Sequence, residues 1–481
     1  MSEYTIVKFI LILLLSIIFA YNILWQINRE NKEVNEPSTQ QKYRSFFYSM
    51  QLPLCLILLL FFDWAFHGLE HALHSLLSSY FSVFLHIGVY YVCLLGMLPV
   101  IRKHVSARAS AFLWLVPNYL YIFVVHDETV LSPVFFLHVP GKLIWFLLGI
   151  WLIGFVAVLG GKILSHMSYR KYVMQGAKLI TDSEIIALWE NEIESSHISD
   201  IPRELWRSPN VSTPMTVGLF KYKMDVLLPM KEYSMEELEL IFRHEIVHIG
   251  REDQWNKFFM TFCTAMCWFN PFVWQAMKRC AEDLELSCDE TVLIFADETK
   301  RKRYAELILK TAGDERGFTT CLSVKAEALQ YRLRNILHVK KRFAGAICVG
   351  VTFFLLAMTC GYVGITYGDT NVKELIFKDI DTSQLEYAEN NEITCKDEEA
   401  LIEYLETVKI SRITGDYQTD NLERGLRFLL SSPDKILRFH FSDKMLDLIV
   451  LDKRVNGDIE YYTYYLPDGV DWEILESYFV K

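Results

Sequence analysis

Apolar residues in this chain come in long blocks, not in the short alternations of a soluble domain. Blocks over about Thr5–Trp25, Phe46–Ala65, Phe81–Ile101, Phe112–Val125 and Leu143–Leu164, and a last one over about Phe343–Tyr367, predict membrane helices, since roughly 20 apolar residues of helix cross the ~30 Å hydrocarbon layer of a bilayer. The fourth block is short and contains Pro117, so it predicts a span or a re-entrant segment, and four or five N-terminal spans in all. Beyond residue 368 the pattern changes. Ala400–Val408 has a helical period, whereas Leu437–Val450 and Ile459–Leu466 alternate and flank Asn456-Gly457, a hairpin turn signal. The chain therefore divides into a multi-span region (1–165), a second module (166–342), a span (343–367) and a small α+β module (368–481).

Charge gives this plan an orientation. Lys and Arg gather at Arg29–Arg44, Arg102–Arg108, Lys162–Lys171 and Lys340–Arg342, and such clusters mark the cytoplasmic side of a membrane protein. The topology that satisfies them puts the N-terminus outside, 166–342 in the cytoplasm and 368–481 outside. Composition agrees, with 52% hydrophobic residues and 32 Phe. The net charge of −11 belongs to one module: residues 369–481 hold 25 acidic and 13 basic residues. Nothing in this distribution resembles a nucleic-acid-binding surface, and the bilayer is the first partner expected.

The chemistry sits in the second module. His244-Glu245-Ile246-Val247-His248 places two imidazoles four residues apart, on one face of a helix, where they can converge on a zinc ion. Glu245 beside them can take the proton of a metal-activated water. Ser234 and Glu237 stand at capping-box spacing ahead of the motif, which specifies a helix over about Met235–Ile249. A catalytic zinc needs a third protein ligand, and Arg251 and Gln254 occupy the places where a His-x-x-Gly-x-x-His pattern would supply it. The acidic run Glu282–Glu290 offers it instead: Glu285 as ligand, with Glu282 as competitor, and Asp289 one turn on to orient a ligand imidazole. The bland alternatives are an amphipathic helix with two polar-face histidines and a solvated acidic helix.

Other segments carry weaker signals. Phe220, Tyr222, Met224, Val226 and Leu228 alternate with Lys221, Lys223, Asp225 and Leu227 and predict either an edge strand able to hold an extended peptide or a half-buried structural strand. Phe258–Met277 is apolar but interrupted by Asn270-Pro271, which predicts a helix that dips into the membrane or lies against it. His67, Glu70, His71 and His74 share a helical face and form either a metal cluster or the polar side of an interfacial helix.

His244-Glu245-x-x-His248, Arg251-x-Asp253, Trp268-Phe269-Asn270-Pro271-x-x-Trp274 and Glu285-Leu-x-Cys288-Asp289-Glu290 together resemble the BlaR/MecR antirepressor family of integral-membrane zinc metallopeptidases. Pro214, Gly218 and Leu228-Pro229 extend the likeness, which covers about 170–345. The resemblance implies a multi-span α-helical membrane protein with a cytoplasmic α+β gluzincin-like zinc peptidase domain and a small extracytoplasmic α+β sensor. It also implies that an external signal triggers self-cleavage and that a cytoplasmic repressor protein is the eventual target. The founding members end in a penicillin-binding domain longer than this tail. Ser432-Pro433-Asp434-Lys435 fits Ser-x-x-Lys, but no partner motif follows, and the tetrapeptide reads equally as a turn. Two other readings stay open, a constitutive quality-control or prenyl-protein-processing endopeptidase and a non-enzymatic receptor with a structural zinc. The basic segment 311–342 has Gly313 and Gly317 as flexible points, and self-cleavage is expected between Gly313 and Arg342. The plainer reading is that its charges, Lys340–Arg342 above all, only anchor the span.

Overall fold

The computed structural model describes residues 3–30, 51–123, 135–140, 142–198, 201–202, 204–219, 223–311, 320–321, 326–337, 345–359, 363–378, 380–388, 394–413, 425–442, 444–452 and 459–480. Two compact units result: residues 1–58, 86–122 and 152–358 form the first, and 59–85, 123–151 and 359–481 the second. These units cut across the boundaries read from hydropathy, because long helices at Leu69–His104 and Leu143–Met174 pass from one to the other.

Among the described residues, three helices are long and apolar enough to cross a membrane: Phe9–Glu30, Val83–His104 and Leu143–Met174, with shorter apolar helices at Leu52–Phe66 and Ala346–Thr359. Two expected spans change form. The last one stops as a helix at Thr359, and Val363–Asn371 is a strand. The fourth is a helix at Ala107–Leu115 followed by a 3-10 turn at Val116–Tyr119 and a short helix at Leu120–Phe123. Ser106 caps that helix by accepting from the Ala109 amide, and every residue from 107 to 115 is buried. Ala107, Ala109 and Ala111 present almost no side chain, which lets the helix lie close against Pro271–Val292. Its polar groups are matched there: Ser110 Oγ and Trp114 Nε1 donate to Asp283 at 2.7 and 2.9 Å.

In the first unit a mixed sheet meets the helices. Leu205–Ser208 runs parallel to Asp225–Pro229, which pairs antiparallel with Met215–Val217, which in turn pairs with Thr320–Cys321. The segment expected as an edge strand is thus interior: Asp225–Pro229 has neighbours on both sides, and 220–222 lie outside the described residues. Its run of apolar residues, Val226, Leu227 and Leu228, is fully buried, as suits a strand covered on both faces. The core joins this sheet to helices Ser183–Ser196, Met235–Arg251 and Glu298–Thr311, with Trp189 and Phe242 edge to face at 5.1 Å.

The second unit holds a sheet of eight strands in which Phe135–Val139 pairs parallel with Val363–Asn371. Gly425–Ser431, Lys435–Ser442, Met445–Asp452 and Ile459–Tyr465 form an antiparallel meander, covered on one face by Glu398–Thr407, the helix expected near 400–408. Leu437–Val450 is two strands rather than one. Ser432 accepts from the Lys435 amide at 3.0 Å and closes the turn between two of them, so Ser-x-x-Lys here is a hairpin corner. The side chains of His67, Glu70, His71 and His74 lie outside the described residues.

Candidate active site

The helix Met235–Arg251 begins as its sequence dictates. Ser234 Oγ accepts from the Glu237 amide and the Glu237 carboxylate accepts from the Ser234 amide, a complete capping box, which satisfies two of the amides a helix start leaves unpaired. About three to four turns on, His244, Glu245 and His248 are all fully buried. The two imidazoles meet at their Nε2 atoms, 3.0 Å apart.

Glu285 comes from the second helix, Pro271–Val292. Its Oε2 lies 3.7 Å from His244 Nε2 and 3.5 Å from His248 Nε2, is buried, and accepts no hydrogen bond. Its other oxygen is held by Lys257 Nζ at 3.0 Å. The three facing donor atoms are therefore separated by 3.0, 3.5 and 3.7 Å. Ligands about 2.1 Å from a tetrahedral zinc stand about 3.4 Å from one another. The donor set fits such an ion in size and in chemistry. Glu282, the competing carboxylate, points elsewhere and pairs with Arg102 at 3.0 Å and Arg279 at 2.8 Å.

Cys288 is a second competitor, since its thiol sits with both histidines in a buried group able to hold a metal. It lies 3.5 Å from His244 Nδ1, the ring nitrogen opposite the one that faces His248. That nitrogen is already engaged by Tyr304 Oη at 2.9 Å. The geometry favours Glu285.

Behind the donors, each imidazole is oriented through its Nδ1. His248 Nδ1 bonds Asp253 Oδ2 at 2.6 Å. His244 Nδ1 meets Tyr304, which donates to Asp289 Oδ1 at 2.8 Å, so the orienting role expected of Asp289 reaches His244 through a tyrosine, and its own oxygen stays 3.5 Å away. Arg332 grips Asp289 with two hydrogen bonds of 2.7 and 2.6 Å and approaches Glu285 Oε2 to 3.9 Å. Such partners fix tautomer and ring orientation around a metal.

Burial disfavours a charged imidazole at His244, yet the Cys288 thiol and Glu285 beside it outweigh this and raise it to about 9. Burial also opposes the charged form of Glu285, but Lys257 and the imidazoles hold its carboxyl well below the usual range.

Glu245 faces the sheet. Its Oε2 accepts from Thr216 Oγ1 at 2.7 Å, on the strand Met215–Val217. Next to that strand, and in register with Thr216, runs Thr320 of the segment joining the site to the last apolar helix.

Asp253, Lys257, Tyr304, Thr216 and Arg332 had no assigned role in the sequence. Asp253 carried the one usable signal, as part of Arg251-x-Asp253. The others come from separate elements, and no spacing rule connects them to the histidines.

Residues 137–336 match the BlaR1 peptidase M56 family. A stretch of 198 residues is 24% identical to Regulatory protein BlaR1 of Bacillus licheniformis, covering 41% of this chain and 32% of that protein. The chain thus spans about a third of the length of the curated relative it matches. The likeness to the BlaR/MecR family read from the motifs is borne out over this stretch, which is similar to the BlaR1 peptidase M56 family.

Proposed function

We propose that this protein is a membrane-embedded zinc metalloendopeptidase that acts as a signal transducer, with His244, His248 and Glu285 as metal ligands, Glu245 as the general base and Asp289 as an orienting residue. The observation that carries this is the near-tetrahedral spacing of the three buried donor atoms beside an acid that is not among them.

When bound, zinc supplies Lewis-acid polarisation of the scissile carbonyl and acidifies the attacking water. Glu245 takes the water's proton on its carboxylate and delivers it to the leaving amine, while Thr216 holds the carboxylate in place. Asp253, and Tyr304 with Asp289, keep the imidazoles oriented. An extended peptide is held by strand addition along Met215–Val217, the place where Thr320–Cys321 lies. That pairing makes the chain's own 311–342 segment the first candidate substrate, in line with self-cleavage. The module 166–342 faces the cytoplasm, where a repressor protein is the eventual target, and 368–481 faces outward and reads the signal.

The test uses full-length protein, wild type and Glu245→Gln, each with and without a chelator. Wild type is expected to yield a fragment ending within 311–342 and to stop with chelation, while Glu245→Gln keeps its zinc and stays intact. A fragment formed equally by Glu245→Gln would overturn the assignment. A constitutive processing enzyme predicts instead an intact protein that cleaves many unrelated peptides.

A further inference from the structure

The turn between the helices Asp253–Met266 and Pro271–Val292 has an unusual surface. Phe269, Phe272 and Trp274 are 50%, 42% and 41% exposed, and this aromatic tip belongs to the same two helices that carry Lys257 and Glu285. Its flank is wedged against apolar helices. A Cβ at Gly154, within Leu143–Met174, would overlap the Trp268 ring, and one at Gly88, within Leu69–His104, would stand 3.0 Å from Asn270 Nδ2. Phe262 meets Phe155 edge to face at 6.0 Å.

Two features point to hydrocarbon as the occupant. The first is depth. Gly154 is eight residues ahead of exposed Lys162, or about 12 Å along the helix axis, and Phe272 is six ahead of exposed Lys278, or about 9 Å. Both measures put the tip well inside an apolar layer whose edge lies at the lysines, as expected of cations at a headgroup boundary. The second is hydrogen bonding. Asn270 Oδ1 accepts from the Phe272 amide at 2.9 Å, Asn270 N donates to Cys267 O at 2.9 Å, and Trp274 Nε1 donates to Trp268 O at 2.9 Å. Pro271 has no N–H to satisfy. A turn that pairs these groups internally meets the demand hydrocarbon makes on irregular backbone.

We propose that Trp268–Trp274 is the lipid-inserted tip of a re-entrant helical hairpin, which seats the metal centre at the membrane surface and restricts it to peptide segments held against that surface. Glu285 is seven residues beyond Lys278, so the donor atoms stand at most about 10 Å outside the apolar layer. The restriction on substrate rests on the peptidase reading; the insertion does not.

Photo-crosslinking decides the insertion. Benzoylphenylalanine replaces Phe269, Phe272 or Trp274 in the full chain, in vesicles of phosphatidylcholine and phosphatidylglycerol, with Lys302, 62% exposed, as control. Lipid adducts are expected at the three aromatic positions, at least tenfold above Lys302. Adducts to a second copy or another protein, or lipid adducts no more frequent than at Lys302, overturn it. The substrate restriction is read with a peptide of residues 318–323 anchored to vesicles directly or through 20 Gly/Ser residues, a coil of about 25 Å. The directly anchored peptide is expected to be cleaved at least as fast; cleavage of the spaced peptide alone overturns the restriction. If neither is cleaved while lipid adducts form, the peptidase reading fails, the restriction falls with it, and the insertion stands.

Discussion

Glu285 and Glu282 share one helix and nearly one stripe, yet their surroundings assign them opposite tasks. Glu285→Ala is expected to strip the site of metal, because it removes a donor held 3.5 and 3.7 Å from the two imidazoles. Glu282→Ala is expected to leave metal content unchanged, because that carboxylate serves Arg102 and Arg279; equal zinc loss in both variants would refute the ligand choice. Asp253→Asn keeps shape but removes the charge 2.6 Å from His248 Nδ1, and the expected outcome is a 10- to 100-fold weaker zinc affinity, measured by competition with a chelating dye. At this scale the sequence was legible where one helix carried the pattern. The i, i+4 rule brought His244 and His248 together and pointed to Glu285 through Asp289. It was silent where geometry joins distant elements: Tyr304 and Arg332 reach the site from helices that begin 54 and 82 residues after His244, and only folding makes them neighbours.

Elements that read as independent in hydropathy prove to share one polar interior. The helix Glu3–Glu30 ends on Glu30, which is 3% exposed and binds Arg108 and Arg251, the latter at 2.6 Å. Arg251 closes the His-Glu helix and also donates to Ser287 and Thr291 on the helix of Glu285. Removing one member of such a group leaves buried charge without compensation, at a cost of about 3–5 kcal/mol. Glu30→Ala should therefore lower the thermal unfolding midpoint of detergent-solubilised protein, whereas Lys302→Ala on an exposed pair should not. An unchanged midpoint for Glu30→Ala would mean the charges are not compensated as drawn. The same interior explains two readings that differ from the structure. The apolar block near 112–125 reads as a span, but Ser110 just ahead of it and Trp114 within it bond Asp283 and tie the helix Ala107–Leu115 to Pro271–Val292. The strand near 224–229 alternates like an edge, yet pairing on both sides makes it central.

The segment after Thr311 touches the histidine site on its way toward the last apolar helix. From Thr311 the chain returns as Thr320–Cys321 alongside Met215–Val217, forms the helix Ala326–Leu337, which buries Arg332 against Asp289, and reaches the apolar helix Ala346–Thr359 and then the strand Val363–Asn371 of the second unit. A segment that lies in register with Thr216 of its own chain has a high effective concentration at that site, so self-cleavage should be intramolecular. The helix 326–337 is an unfit substrate while it stays folded, since strand addition requires an extended backbone and Arg332 is tied down by two hydrogen bonds. Cleavage is therefore expected between 312 and 325 or between 338 and 342, with the first favoured by the pairing at Thr320. Tagged Glu245→Gln protein mixed with wild type in the same vesicles should remain whole while the wild-type chain is cut. Mass spectrometry of the new termini locates the bond: a cut inside 326–337, or efficient cutting of the Glu245→Gln chain by its neighbour, would show that this linker is not bound to its own site as the strand pairing indicates.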